Sequence, residues 1–461
     1  MTATDNKRQV RLGWTEKIGY GAGDMGFNLY WTTIASFLAA FYTDVFGLSA
    51  AAAGTMLLVT KIIDAFTDPA MGAIADRTHT RFGKFRPYLV WGSVPLAVAA
   101  VFTFTTPELG TTGKLLWAYA SYTLLMLCYT VVSTPYSALS GVLTANSQDR
   151  TTLISLRFLF AFSCGALVNR FTLPLVEYFG KGDEQLGWSL TIALYGVLAC
   201  LAFLITFGTT RERIAPPQQQ HNNARADIKD LLGNQPWLIL FALAMIIMIT
   251  ITMRGGSAYY YFKYYVERPD LISSYLFWQM IAYASGACLT PVLTRYIDKA
   301  RLLMILMAIV GTLSVLFFFV PREQIGMMFA LNILISLALG PKSPLTWSMY
   351  ADTADYNEWK HGRRATAMTF AAATFAQKLG GALGSAVMLW VLAAIGYVAK
   401  EAQSGASMLG INLLQTAVPG VFAFLAVVFL TRYTLSGAQL KSIQDDLEQR
   451  SVDPQPETNP A

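Results

Sequence analysis

Long apolar runs alternate with short polar connections along almost the whole chain. Twelve runs are long enough for a membrane helix, which needs roughly 20 mostly apolar residues. They lie near 18–42, 50–74, 87–105, 115–140, 150–177 and 188–209, then near 236–262, 271–294, 302–320, 325–350, 365–397 and 408–432. The longest internal polar stretch, TRERIAPPQQQHNNARADIKDLLGNQ at 210–235, separates the two sets. The pattern predicts an all-α membrane protein with twelve transmembrane helices in two pseudo-symmetric six-helix bundles. Residues 1–209 make the first bundle, 210–235 a cytoplasmic linker, 236–432 the second bundle and 433–461 a cytoplasmic polar tail. That tail reads as a short frayed helix followed by disorder.

The basic residues test this count. With the N-terminus in the cytoplasm, the inner segments hold 22 Lys and Arg residues and the outer loops hold 6: Lys114, Lys181, Lys263, Arg268, Arg322 and Lys400. Cytoplasmic loops carry an excess of Lys and Arg, and one missed or extra span would break the alternation. Both termini are therefore expected in the cytoplasm, with the chain multi-pass in a plasma membrane, a bacterial inner membrane. Two six-helix halves joined by a cytoplasmic linker is the plan of the major facilitator superfamily.

Composition narrows the class further. Of 461 residues, 54% are apolar and only 13% are charged, against about 25% charged in soluble chains. Mean hydropathy is +0.43. A disordered chain, a secreted disulfide scaffold and a soluble multidomain enzyme are all excluded. The net charge of +6 is topological and points to no nucleic acid partner. Cys128, Cys164, Cys200 and Cys288 lie in apolar stretches without CxxC spacing, which speaks against metal binding and disulfides. His79, His221 and His361 lie in polar connections. The first residues lack an apolar core before a small-residue cleavage site, so no cleaved signal peptide is expected.

Charges left inside spans carry the chemistry. They are Lys61, Arg157, Arg170, Arg254, Lys342 and Lys378, with Asp24, Asp64 and Asp68. Each costs at least ~2.5 kcal/mol at a helix centre, so each needs a cavity or a partner. Arg170, Arg254 and Lys342 lie near the expected span ends, where snorkelling or internal pairing explains them as well as function does. The sharpest feature is Lys61-Ile-Ile-Asp64-Ala-Phe-Thr67-Asp68-Pro69. Asp64 and Asp68 share a helix face, and Lys61 lies on the same side. Two carboxylates this close in a low dielectric take up a proton or hold a cation between them. A lock between Lys61 and Asp64 is the plainer reading, but it leaves Asp68 unexplained. Lys378, in FAQKLGGALGSA, needs an anionic partner, and Asp64 or Asp68 is the natural candidate. That contact would link the two halves.

In the fourth span, Thr130, Ser133 and Ser137 form a polar stripe beside Pro135, which can bend the helix. Their hydroxyls could equally bond back to their own helix. Most aromatics read as lipid-facing or interfacial anchors; only Tyr30, Trp31, Tyr129 and Trp347, beside the polar cluster, are open to sugar stacking, with plain packing the commoner role. Acids after the tenth span face basic residues elsewhere on the cytoplasmic side. They could form an ionic lock or simply a solvated, positively charged loop.

Several separated motifs resemble one family. GYGAGD (19–24), FYTDVFGL (41–48), GTMLLVTKIIDAFTDPAMG (54–72), DRTHTRFGKFRP (76–87) and YADTADYNEWKHGRR (350–364) are similar to the glycoside–pentoside–hexuronide:cation symporters. The resemblance runs from about Glu16 to the last span. It implies that Asp64 and Asp68 bind the coupling cation with Thr130, with Thr67 where melibiose permease, a familiar member, has an asparagine. It implies that Lys378 lies between the sugar and cation sites, beside Lys61, and that Arg157 contacts the sugar while Trp347 borders its pocket. Asn28, Tyr129, Ser133 and Ser137 complete the expected sugar site. Arg295, Asp352, Asp355, Glu358 and Arg363 match the cytoplasmic gate. Melibiose permease has aspartates at the positions of Asn28 and Ser133 and a tryptophan at that of Ser137. Galactoside recognition of that kind is not expected here, and the thinner oxygen set favours a proton over sodium. With two acids lost while Arg157 and Lys378 remain, an anionic sugar would be better tolerated.

The expected function is cation-coupled symport of a sugar or glycoside into the cell by alternating access, with no cofactor beyond H+ or Na+ and no metal site beyond one sodium. A lipid or drug carrier on the same scaffold would want an apolar cavity. A non-transporting sugar sensor would want an output domain. No catalytic triad, metal ligand set or phosphate loop points to an enzyme. Asp24 has no assigned role.

Overall fold

A computed structural model describes residues 12–144, 147–213, 232–361, 366–435 and 437–452. Helices fill nearly all of them; the one β-bridge among the described residues is the isolated pair Thr80 and Gly83. Each apolar run becomes a helix because backbone groups in hydrocarbon must be satisfied within their own segment. The first helix, α1 (Trp14–Thr33), continues through two π-helical stretches, Ile34–Leu38 and Phe41–Val45. Then follow α2 (Ala50–Arg77), α3 (Pro87–Thr103), and α4 (Thr111–Leu143), α5 (Ser147–Gly180) and α6 (Glu184–Thr209). After the linker come α7 (Gln235–Tyr260), with a π-helical end at Tyr261–Tyr265, α8 (Ile272–Leu293) and α9 (Lys299–Phe318). The span α10 (Ile325–Lys360), then α11 (Thr366–Ala394) and α12 (Gly405–Leu430) complete the set. A surface helix, α13 (Gly437–Val452), occupies the expected tail.

Ten of these helices are long and apolar enough to cross a membrane, and α1 and the shorter α3 fill the two remaining expected places. Helices α4 and α5 run past both expected ends, to 33 and 34 residues. At about 1.5 Å per residue each is near 50 Å long, so both overshoot a ~30 Å hydrocarbon layer. Polar caps mark several ends. Asp183 accepts from the backbone N–H of Gln185, Asn234 from that of Trp237 and Ser404 from that of Ser407. The wide belt of exposed apolar side chains, Phe66, Leu159 and Val421 among them, suits a lipid-facing exterior.

Helix α1 packs on α5 and α6, and α7 packs on α11 and α12. Between the first six helices and the last six, α2 meets α11, α5 meets α8, and α1 meets α7. The α8–α10 crossing is close enough to require glycine. A Cβ on Gly286 would lie 2.1 Å from the Leu337 carbonyl oxygen, and one on Gly340 would lie 2.4 Å from that of Tyr283. Directly after Gly340, Pro341 interrupts α10, dividing it into Ile325–Leu339 and Lys342–His361. Lys342 therefore stands near the middle of a 36-residue span, and Arg254 lies well inside α7. Neither is near a span end, contrary to the sequence expectation.

Candidate functional site

The α2 segment holds Asp64 and Asp68 one turn apart, as their spacing requires. Thr130 of α4 bridges them: its Oγ1 lies 2.8 Å from Asp64 Oδ1 and 3.0 Å from Asp68 Oδ1. Its hydroxyl is thus turned to the acids rather than to its own helix. From α11, Lys378 donates to Asp64 Oδ2 at 3.2 Å and to Asp68 Oδ2 as well. Asp64 is buried, with its side chain 2% exposed. Lys61 Nζ stands 4.0 Å from Asp64, 2.9 Å from Met126 Sδ and 4.8 Å from the centre of the Trp31 ring. Two carboxylates, two ammonium groups and one hydroxyl thus share a site that spans both sets of helices. Thr67 is turned elsewhere, its hydroxyl donating to the Asp64 backbone carbonyl at 2.9 Å.

A second group lies on α1, α4 and α5. Arg157 Nε donates to Asp24 Oδ1 at 2.8 Å, and Asn28 Nδ2 donates to the Asp24 backbone carbonyl at 2.9 Å. Asp24 is buried at the base of this pair, while a third of the Arg157 side chain is exposed. The Arg157 guanidinium also lies over the Tyr136 ring at 5.2 Å. Tyr129 packs edge-on to Phe27 and beside Trp31, giving this group an aromatic floor. On α4, Ser133 is half-buried and Ser137 exposed. Tyr30 is buried in helix packing. Trp347 stacks flat on Phe370 of α11, with ring centres 5.5 Å apart. The rationale for an anionic sugar changes here. Arg157 and Lys378 are both compensated, by Asp24 and by the α2 acids.

The face bearing the N-terminus carries the expected gate. Asp352 pairs with Lys299 at 2.8 Å, not with Arg295, which is exposed. This pair joins α9 to α10, within the last six helices. Asp355 and Glu358 share the α10 end with Asp352, and Arg363 lies outside the described residues. Nearby, Glu212 accepts from the backbone N–H groups of Lys84, Phe85 and Arg86 at 2.8–3.0 Å. That contact ties the 76–87 loop to the end of α6. Lys17 of α1 meets Asp149 of α5 at 2.7 Å.

The opposite face holds a cluster that sequence reasoning missed. Asp44, in the π-helical end of α1, accepts from Lys263 Nζ at 2.7 Å and from the Tyr264 hydroxyl at 2.5 Å. Tyr397 and Thr43 donate to its other oxygen. Both Lys263 and Tyr264 belong to the π-helical end of α7. The Asp44 side chain is fully buried by partners from the last six helices. Lys400 and Glu184 pair at 2.9 Å on the same face. The sequence carries a signal for it, since Asp44 lies within FYTDVFGL and Lys263 is an outer-loop charge. Only the fold shows that they meet.

The chain matches the MFS/sugar transport protein family over residues 19–437. It is 36% identical to the inner membrane symporter YicJ of Escherichia coli (strain K12) over 441 residues, covering 95% of each chain. It is 34% identical to the isoprimeverose transporter of Lactiplantibacillus pentosus, covering 95% of this chain and 92% of that one. Among solved structures, a D-xylose–proton symporter shares the fold with a TM-score of 0.65 at 16% identity, covering 91% of this chain and 97% of that one. The chain belongs to the MFS/sugar transport protein family, within the glycoside–pentoside–hexuronide:cation symporter family of the major facilitator superfamily, and is a membrane transporter and not an enzyme.

Proposed function

We propose that this protein carries a sugar or glycoside into the cell together with one coupling cation, a proton in preference to sodium. The observation that carries this reading is Lys378 held on both α2 carboxylates, with Thr130 bridging them. The ammonium stands where a cation would stand. A proton or cation taken up by Asp64 and Asp68 weakens the hold of Lys378 and so releases the α2–α11 contact from its ligand-free arrangement, freeing the two sets of helices to close around both ligands. The sugar binds on Asn28, Arg157 and Tyr129, against the aromatic floor. Each ligand favours the same closed arrangement, which makes their binding cooperative. The oxygen supply supports a proton: with Thr67 turned to its own backbone, two carboxylates and one hydroxyl remain, few ligands for sodium.

The excess of Lys and Arg on the N-terminal face supports a cytoplasmic position for it. The Asp44 cluster then closes the outer side, and its opening admits substrate. Membrane vesicles in light buffer test the reading. Adding the right glycoside should alkalinise the outer medium without sodium, and Asp68→Asn should abolish the signal. Uptake stimulated only by sodium would reverse the cation assignment. No response to any sugar, with the protein present in the membrane, would overturn the reading.

A further inference from the structure

Of the six basic residues inside spans, Lys61, Arg157 and Lys378 have carboxylate partners. Arg170 is exposed. Arg254 and Lys342 are buried and meet no carboxylate among the described residues. Arg254 is fully enclosed by the last six helices and donates to Asn332 Oδ1 at 3.0 Å. Lys342, 6% exposed, is held differently: among the described residues its Nζ reaches only the thioether of Met248, at 3.7 Å. Sulfur is a weak acceptor. An ammonium so placed inside a membrane lacks the partner such groups almost always have.

Its position gives the missing partner a direction. Lys342 opens the second segment of α10, just past the Gly340–Pro341 break. On one side, Met248 also faces Gly381, where an added Cβ would lie 3.9 Å from the Met248 methyl carbon. Gly381 is one turn along α11 from Lys378. On the other side, the neighbouring Ser343 meets the Tyr283 hydroxyl at 3.1 Å, and Tyr283 packs on Phe162 of α5 at 5.6 Å. Phe162 stacks on Phe158, next to Arg157. Lys342 is thus linked through Met248 to the helix of the coupling cluster, and its neighbour Ser343 is linked through Tyr283 to that of Arg157.

We propose that Lys342 determines specificity by receiving the acidic group of an anionic saccharide, a uronate carboxylate. This rests on the symporter reading above and deepens it. The other cations of that region are already compensated, so Lys342 is the one that gains most from a carboxylate. The contact would be a charge-assisted hydrogen bond, stronger than any neutral hydroxyl supplies.

The test uses full-length protein in proteoliposomes with two matched probes, p-nitrophenyl β-D-glucuronide and p-nitrophenyl β-D-glucoside, and the corresponding galactose pair. Binding and proton-driven uptake are both measured. The uronide should bind at least tenfold more tightly than its neutral partner. Lys342→Gln should bring that ratio to near one, while Lys342→Arg keeps it above one. Neutral probes taken up with protons while uronides are ignored would overturn the Lys342 assignment and leave the symporter reading standing, as would a ratio unchanged in Lys342→Gln. Failure of every probe to bind or move would bring down both. If Lys342→Gln fails to fold, Lys342→Arg and the wild-type ratio still decide.

Discussion

Lys378 of α11 lies 3.2 Å from Asp64 of α2 and also reaches Asp68, and this lysine joins the first six helices to the last six at the level of the candidate coupling site. Whatever occupies the α2 carboxylates must therefore be felt by the packing between the two sets of helices. That is the physical requirement for coupling two ligands through one structural equilibrium.

The first prediction concerns that coupling. In the wild type, lowering pH should tighten glycoside binding by about 5–150-fold, the usual range for allosteric coupling. In Asp68→Asn and Asp64→Asn the pH dependence should vanish while some glycoside binding persists. Titration of binding across pH in purified protein checks this. A slope unchanged in both variants would remove the α2 acids from the coupling role.

Arg157 and Asp24 should behave as a unit. A double-mutant cycle with Arg157→Gln and Asp24→Asn should give an interaction energy of about 0.5–3 kcal/mol in glycoside binding, as expected for residues sharing one hydrogen bond. Simple additivity would mean that the pair is structural and does not present the guanidinium to substrate.

The Asp44 cluster should control access from the outer face. Removing one partner of a buried ion pair costs about 3–5 kcal/mol, so Asp44→Asn should shift the protein toward an outward-open state. A cysteine placed at Ala53, fully buried near the outer end of α2, reports this through labelling by a membrane-impermeant maleimide, measured against the native cysteine background. Labelling should rise at least tenfold in Asp44→Asn, and equal labelling would count against the cluster as a gate.

The glycine crossing of α8 and α10 should tolerate no side chain. Gly286→Ala places a Cβ 2.1 Å from the Leu337 carbonyl oxygen, and overpacking of this kind typically costs about 1–3 kcal/mol. Gly255→Ala, with nothing within 4 Å of its new Cβ, is the control and should leave thermal unfolding in detergent unchanged. Equal melting of the two variants would mean that α8 and α10 separate readily at this point.

What could be read from the chain followed the range of each interaction. Apolar runs report whether a segment suits hydrocarbon, so the spans were legible to within a few residues at most ends. Asp64 and Asp68 were legible as a pair because four residues separate them on one helix. The Lys378 contact could be anticipated because a lysine inside a span needs an anionic partner, whereas that of Thr130 followed only from the family resemblance. Asp24 with Arg157, and Asp44 with Lys263, were not legible, because nothing along the chain singles out one partner for each and helix rotation decides which faces meet. The choice of Lys299 over Arg295 for Asp352 has a similar cause, since the chain turns between α8 and α9 and only Lys299, the first residue of α9, comes to face Asp352. Thr67 was misleading in another way: a hydroxyl on the right segment still had its own backbone carbonyl within reach.

The coupling cluster has an electrical consequence. Lys61 and Lys378 carry two positive charges, and Asp64 and Asp68 carry two negative ones, so the empty cluster sums to zero. A monovalent cation that joins it adds one uncompensated positive charge partway across the membrane. A transmembrane potential acts on such a charge with about 2.3 kcal/mol per 100 mV for a full crossing. A cell interior held negative would then pull the loaded cluster inward and leave the empty cluster indifferent on its way back. Voltage would speed one half of the cycle and not the other.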